Sequence, residues 1–174
     1  MFGKSGGFSS VVDFSTLDGN TGFRLDGGAA FDHSGWSVSR AGDVNGDGFN
    51  DLIIGAGDAD PGGNSYAGSS YVVFGNSGGF PLVVNLSTLD GSTGFRLDGV
   101  ASDDRSGISV SDAGDMNGDG FGDFIIGARV ADPGGNFAAG SSYVVFGKSG
   151  GFSSVVNLST LDGNTDSGWT GSRP

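Results

Sequence analysis

The chain has 174 residues and a formal net charge of −12, and it contains 37 Gly and 4 Pro but no Cys. Its 36% hydrophobic content is enough for a core, but no apolar run approaches the roughly 18 residues that a membrane-spanning helix needs. All 20 acidic residues are Asp, and the lack of Glu and Gln, which are good helix formers, argues against long helices. The presence of only eight Lys and Arg argues against a basic surface that binds nucleic acid or membranes.

The strongest signal along the chain is an internal repeat with a period of 72 residues. The segment that starts at Phe2 returns from Phe74 with 53 of 72 aligned positions identical, and a third copy opens at Phe146 and continues to Thr165. A long period with Gly-rich turns is typical of propeller blades, whereas solenoid coils are shorter. Residues 166–174 depart from the repeat, and we interpret them as a divergent tail.

Each period contains four short strand signals separated by turn clusters. In the first full copy they fall at 36–39, 52–54, 70–74 and 94–97. Their equivalents in the next copy open at Ile108, Phe124 and Tyr143. The sequence therefore predicts an all-β fold of β-propeller blades, each with four antiparallel strands, and a packed core that includes Trp36 and Leu52.

The repeat also sets the expected domain organisation. Closed propellers typically need four to eight blades, so two full repeats and a partial third cannot close a ring. The chain is therefore either a fragment of a longer propeller or a unit that assembles with copies of itself, since the outer strand at 23–26 lacks inner strands and the last blade lacks an outer one. The predicted parts are a partial blade with an outer strand at 1–33, a first blade at 34–105, a second blade with the start of a further repeat at 106–165, and the tail.

An acidic loop lies between the first and second strands of each copy, with the sequence DVNGDGFND at 43–51 and DMNGDGFGD at 115–123. Side-chain oxygens at loop positions 1, 3, 5 and 9 can converge, the carbonyl at position 7 can add a ligand, and Gly48 or Gly120 permits a sharp turn. An all-oxygen set without His or Cys suits Ca²⁺, so we expect two Ca²⁺ per chain. The predicted ligands are Asp43, Asn45, Asp47, Phe49, Asp51, Asp115, Asn117, Asp119, Phe121 and Asp123.

Two other interpretations of the acidic loop agree less well with its sequence. An EF-hand needs Glu at position 12, where this chain has Ile54 and Ile126. A polar hairpin would use the Asn-Gly and Asp-Gly steps simply as turns, but three carboxylates within nine residues repel one another without a cation. The charge of the loops indicates an affinity in the range of extracellular calcium modules, about 10⁻⁴ to 10⁻³ M.

The stretches SGWSVSRAGDVNGDGFNDLIIGAG and SGISVSDAGDMNGDGFGDFIIGAR, each followed by GSSYVVFG, resemble the integrin-alpha-type FG-GAP repeat, and bacterial members of that family most of all. The resemblance covers both full copies. It implies a seven-bladed, calcium-stabilised propeller used in adhesion or ligand recognition, and it implies the same calcium ligands, position by position.

No catalytic constellation emerges from the sequence. The single His, His33, aligns with Arg105 in the next copy, which favours a surface loop over a general base. The Gly-rich segment at 59–64 lacks the Lys-Ser/Thr of a phosphate loop. We therefore expect a protein that is not an enzyme.

The expected function is a calcium-binding module for adhesion or for recognition of an extracellular protein or carbohydrate ligand. The alternative is a structural propeller segment accessory to a larger secreted enzyme. No signal peptide is predicted from the sequence that follows Met1, and an extracellular or cell-surface location is inferred from calcium supply. We expect no nucleic-acid partner and no membrane insertion, and a homo-oligomer could complete the propeller.

Overall fold

The computed structural model describes residue 3, residues 5–7 and residues 9–163. This part of the chain folds into ten short strands and five single-turn 3₁₀ helices. The strands are β1 Arg24–Asp26, β2 Ser37–Gly42, β3 Asp51–Ala56, β4 Ser69–Val73, β5 Val83–Asn85, β6 Gly94–Asp98, β7 Ser106–Gly114, β8 Asp123–Ala128, β9 Ser141–Val145 and β10 Val155–Asn157. The 3₁₀ helices are Phe14–Thr16, Pro61–Gly63, Leu86–Thr88, Pro133–Gly135 and Leu158–Thr160. The tail at 166–174 lies outside the described residues.

The first blade contains the four antiparallel strands that the sequence predicts. Its sheet has the order β10-β6-β4-β3-β2, in which β2, β3, β4 and β6 pair antiparallel in succession. The second blade repeats the first three strands as β7-β8-β9, also antiparallel. The protein is thus all-β, with sheets of the propeller-blade type.

The short strands β5 and β10 are an addition that the sequence did not indicate. After β4 the chain leaves its own blade, and β5 pairs parallel with β1 of the preceding repeat before β6 returns to β4. In the same way β10 pairs parallel with β6. Each repeat therefore adds an outermost fifth strand to the blade before it. A three-residue strand ended by an Asn-capped 3₁₀ turn, as at Asn85 and Ser87, is too short to show a period of two.

The main core lies between the two blades. Phe95 of the first blade and Phe124 of the second are fully buried, with ring centroids 6.5 Å apart. Phe95 also stacks on Phe152 with centroids 4.2 Å apart. One buried cluster thus joins the first blade, the second blade and the third repeat.

The prediction that Trp36 and Leu52 belong to the packed core is wrong. Trp36 is 65% exposed and Leu52 is 37% exposed, whereas Phe124, the repeat equivalent of Leu52, is fully buried. The two residues differ in exposure because of what lies against them. Phe124 faces the first blade, whereas Leu52 faces the opposite side of the first blade, where the described residues form no inner strands of another blade. His33, by contrast, lies in an exposed loop as expected, with Nδ1 2.8 Å from Asp58 Oδ2.

The helices of the described residues are single 3₁₀ turns, and none of them has the length and apolar character to cross a membrane.

Candidate metal centre

Each acidic loop connects the first strand of its blade to the second. In the first blade β2 ends at Gly42 and β3 begins at Asp51, so Asp51, the ninth loop residue, is also the first residue of a strand. The second loop is placed in the same way between β7 and β8. Gly48, at the sixth position, has φ +88°, a backbone conformation that side-chain-bearing residues rarely adopt. The prediction that each acidic loop lies between the first and second strands of its blade is confirmed.

The side chains at positions 1, 3 and 5 of the first loop fold back onto its backbone. Asp43 Oδ1 and Asn45 Oδ1 both accept from the N–H of Asp47, each at 3.0 Å, so these two oxygens converge on one point. Asp43 Oδ2 accepts from the N–H of Gly48 at 2.9 Å, and Asp47 Oδ1 accepts from that of Phe49 at 2.9 Å. The loop is therefore wound around its own carboxylates.

The second loop reproduces this hydrogen bonding. The N–H of Asp119 donates to Asp115 Oδ1 at 3.1 Å and to Asn117 Oδ1 at 3.0 Å. The N–H groups of Gly120 and Phe121 donate to Asp115 and Asp119, at 3.0 and 2.9 Å. The same geometry in two loops that differ in sequence shows that the DxNGDG pattern determines it.

The ninth-position Asp is placed differently from the other carboxylates. Asp51 is fully buried, and its two oxygens accept from the N–H groups of Val44 and Gly75, both at 2.8 Å. Asp51 thus ties the start of the loop to the turn that follows β4. The sequence did not identify Gly75, although the Phe-Gly step directly after YVV in both copies was a usable signal.

Asp123 repeats this arrangement in the second blade. Its oxygens accept from the N–H groups of Met116 at 2.8 Å and Gly147 at 3.0 Å, and the residue is fully buried. Gly147 is the repeat equivalent of Gly75.

Burial raises the pKa of Asp51 to about 6. The N–H groups of Gly75 and Val44 oppose this shift, and the negative charges of Asp47 and Asp43 add to it. A buried carboxylate beside two further carboxylates is a place where positive charge would be favourable.

The two loops also touch each other. The N–H of Gly122 in the second loop donates to the carbonyl oxygen of Asp43 in the first at 2.8 Å. Gly46 has φ +74°, and a Cβ added there would lie 2.4 Å from Cε1 of Phe121, so both the backbone and the neighbouring ring favour Gly. A conformational change in one loop can therefore alter the conformation of the other through these contacts.

The loop oxygens match Ca²⁺ in chemical type, although the carboxylates are spread around each loop. Among residues 3, 5–7 and 9–163, no three His, Cys, Asp or Glu side chains form a compact cluster of the kind that holds a metal. The side-chain oxygens of Asp43 and Asn45 converge on the N–H of Asp47. The carboxylate of Asp51 is buried instead and accepts from the N–H of Val44. The donor set is hard and all-oxygen, as Ca²⁺ prefers, and binding would have to draw these side chains together.

A pocket of about 430 Å³ adjoins the first loop at Asp47. Its walls come from the segment that follows β4, including Phe80, Val83 and Leu89, with Asn76 and other polar groups at its margin. This volume lies within the range of small-ligand sites.

Comparison with known proteins places these features in a family. The family model for the FG-GAP repeat matches residues 34–73, which include the first loop and strands β2 to β4. Phosphatidylinositol-glycan-specific phospholipase D of Bos taurus is 34% identical over 139 residues, and the Homo sapiens protein is 35% identical over 139 residues. Each match covers 78% of this chain and 16% of the relative.

Integrin alpha-PS2 of Drosophila melanogaster is 36% identical over 115 residues, which are 64% of this chain and 8% of the integrin. The chain therefore spans a small part of the length of each of these relatives. The family-model match, the duplicated blades and this similarity together show that the chain contains an FG-GAP-type repeat domain.

Proposed function

We propose that this domain is a calcium-binding recognition module. The observation that carries the proposal is the pair of acidic loops with the same residue pattern, the same place between two strands and the same backbone hydrogen bonds. When bound, Ca²⁺ would supply positive charge to each loop and cross-link its two ends. The residues that would hold it are Asp43, Asn45, Asp47, Phe49 and Asp51 in the first loop, and Asp115, Asn117, Asp119, Phe121 and Asp123 in the second.

Calcium would stabilise the blades rather than take part in chemistry. The Asp at position 9 belongs to the second strand of its blade. A cation bound by positions 1, 3, 5 and 9 would therefore hold the loop against the start of that strand. The net charge of −12 favours cation binding over the whole surface. The proposed role is non-enzymatic, since His33 lies in a surface loop against Asp58.

The proposed location is extracellular or at the cell surface. Loops with this charge belong to the class of calcium modules with dissociation constants of about 10⁻⁴ to 10⁻³ M, which are filled outside cells. The similarity to an integrin alpha chain supports an extracellular recognition module. The proposed ligand is a protein or a carbohydrate, since the net charge of −12 opposes a nucleic-acid partner.

Calcium titration tests the proposal. Isothermal calorimetry should give about two sites per chain, and the melting temperature should rise with calcium and fall with chelator. Asp47→Ala and Asp119→Ala should each remove one site. Asp90→Ala, which removes one negative charge from an exposed turn outside both loops, is the matched control and should leave both sites intact. Retention of both sites in the Asp47→Ala, Asp119→Ala double variant would exclude the loops as the calcium sites.

A second candidate function is a structural propeller segment within a larger secreted enzyme. It is favoured by the match of 139 residues to phosphatidylinositol-glycan-specific phospholipase D. Arrays of glycans and matrix proteins, probed with the chain in calcium and in chelator, separate the two candidates. Calcium-dependent binding to a defined ligand supports recognition, and its absence across the arrays supports the structural role.

A further inference from the structure

The main chains of the two acidic loops are in direct contact. The N–H of Gly122, in the second loop, donates to the carbonyl oxygen of Asp43, the first residue of the first loop, at 2.8 Å. No space is left between the two backbones, because a Cβ added at Gly122 would lie 2.7 Å from the backbone N of Asp43. The contact thus joins one proposed ligand residue to the segment between two others.

A series of hydrogen bonds also joins the ninth-position carboxylates of the two loops. Asp123 accepts from the N–H of Gly147 at 3.0 Å. The next residue, Lys148, donates its N–H to the carbonyl oxygen of Val44 at 2.9 Å. The N–H of Val44, which is fully buried, donates in turn to Asp51 at 2.8 Å. The turn that follows β9 therefore links the buried Asp of one loop to the buried Asp of the other.

The ring of Phe121 makes a third contact between the loops. Its Cε1 and Cδ1 atoms would lie 2.4 and 3.0 Å from a Cβ built on Gly46, so the edge of the ring lies against the backbone in the middle of the first loop. Phe121 is the seventh residue of the second loop, and its carbonyl oxygen is a proposed ligand there. Its backbone thus belongs to one proposed site, while its side chain covers the turn of the other.

These contacts connect the residues that calcium binding would have to move. In the first loop the carboxylates of Asp43 and Asp51 must approach each other, and the backbone beside each of them is bonded to the second loop or to the turn after β9. Once the second loop is fixed around a cation, its contacts hold residues 43–46 in place. Less ordering then remains for the first loop, which makes the coupling between the loops positive.

Electrostatic repulsion between two bound cations acts in the opposite direction. A loop with three carboxylates keeps one negative charge after it binds one Ca²⁺, so a filled loop attracts a second cation less strongly than an empty one. Solvent ions screen this effect over about 8 Å at physiological ionic strength. The backbone hydrogen bonds and the ring contact are direct and are not screened, so we expect them to dominate.

We propose that the two loops bind calcium as a coupled pair, in which a cation in either loop raises the affinity of the other, and that the Phe121 ring is a positioning group for the first loop. The inference rests on the proposed calcium binding and adds its regulation. A coupled pair fills over a narrower range of calcium concentration than two independent sites.

Site-resolved calcium titration by NMR tests this coupling on the full chain. The N–H groups of Gly48 and Gly120 donate to Asp43 and Asp115, the first-position residues of the two loops. Each amide resonance of the isotope-labelled protein therefore reports on its own loop. Both curves of the unsubstituted protein should be steeper than a single-site isotherm, which independent sites cannot produce.

Single-site variants give the size of the coupling. Asp119→Ala leaves the first loop as the one proposed site, and Asp47→Ala leaves the second. The unsubstituted protein should bind both cations more tightly than these two affinities predict, by a factor of about five to ten. One factor should fit both loops, because coupling between binding sites is reciprocal. The factor should persist or increase at about 0.5 M salt, where repulsion between the cations is screened.

Substitution of Phe121 tests its positioning role. Phe121→Ala keeps the carbonyl at position 7 but removes the ring from Gly46, so both sites should remain while the coupling factor falls by about threefold or more. Phe121→Tyr keeps the ring edge and should retain the factor. Phe49→Ala is the matched control, since Phe49 occupies the same position of the first loop and is 41% exposed. It should leave the coupling factor unchanged.

The possible outcomes separate this inference from the proposed function. Two sites with single-site curves would overturn the coupling and leave calcium binding by both loops standing. A chain that binds no calcium would overturn both. Loss of the coupling factor at high salt would contradict coupling through direct contacts. Equal effects of Phe121→Ala and Phe49→Ala would overturn the role assigned to the Phe121 ring.

Discussion

At the residue scale, the carboxylates of one loop have different roles. Asp51 is buried and uses both oxygens to satisfy backbone N–H groups, whereas Asp47 lies in the exposed part of the loop. Buried polar groups must be paired, because an unpaired one costs about 1–3 kcal/mol. Asp51 is therefore needed for the fold even without a cation, and the loop's own hydrogen bonds supply part of its order.

This division of roles leads to a prediction for the protein in chelator. Asp51→Ala leaves the N–H groups of Val44 and Gly75 without their acceptors, so the free energy of unfolding should fall by about 2 kcal/mol or more. Asp47→Ala should cost about 1 kcal/mol or less under the same conditions, because its partners are exposed to water. Urea unfolding in chelator measures both values. Equal losses in the two variants would contradict a separate structural role for Asp51.

The sequence predicted the candidate residues of these loops but could not divide their roles. A sequence motif looks the same whether the Asp at a given position accepts hydrogen bonds from backbone N–H groups or binds a cation. The distinction depends on burial and on Gly75, which lies 24 residues further along the chain. Such a contact is determined by the pairing of β3 with β4 rather than by loop spacing.

At the scale of elements, the packing between blades depends on close approach of their backbones. A Cβ added at Gly55 in β3 would lie 1.9 Å from the carbonyl oxygen of Gly107 in β7. The equivalent Gly127 in β8 has no other blade against it in the described chain. A Cβ there would meet first the side-chain oxygen of Ser109, at 2.3 Å, which can rotate away.

Alanine substitutions at these two glycines should differ in their effect. Gly55→Ala should force the blades apart and lower the free energy of unfolding by about 3 kcal/mol, since overpacking typically costs about 1–3 kcal/mol and here the clash is with backbone. Gly127→Ala should cost less than about 1 kcal/mol, because the atom that a Cβ would meet first belongs to the Ser109 side chain. Urea unfolding of both variants measures the difference. An equal effect would show that contact between the blades does not limit the space at Gly55.

The elements themselves were predictable to the extent that they follow a local pattern. The four antiparallel strands of the first blade and the corner loops follow from alternation and turn residues. The parallel strands β5 and β10 could not be found in this way, because three residues of Val-Val-Asn acquire a strand conformation only from the neighbouring repeat. The exposure of Trp36 could not be predicted from the local sequence pattern either, because it depends on whether another blade packs against that face of the first blade.

At the scale of the whole molecule, the two blades share one core. The buried cluster includes Ile53 and Phe95 from the first blade, Phe124 from the second and Val156 from the third repeat. A blade cannot lose its packing without exposing apolar surface of its neighbour. The described chain should therefore unfold as one unit, although its sequence consists of repeats.

Substitution of equivalent residues in the two blades tests this shared core. Phe124→Ala removes a fully buried ring that contacts Phe95, so it should lower the free energy of unfolding by about 3–5 kcal/mol and shift a single transition. Leu52→Ala, at the equivalent position in the first blade, should cost about 1 kcal/mol, because its side chain is already 37% exposed. Urea unfolding followed by circular dichroism and by fluorescence, with Trp169 replaced by Phe so that Trp36 is the one remaining Trp and reports on the first blade, should give coincident curves for both variants. Separate transitions for the two signals in Phe124→Ala would mean that the blades unfold independently and that the shared cluster does not couple them.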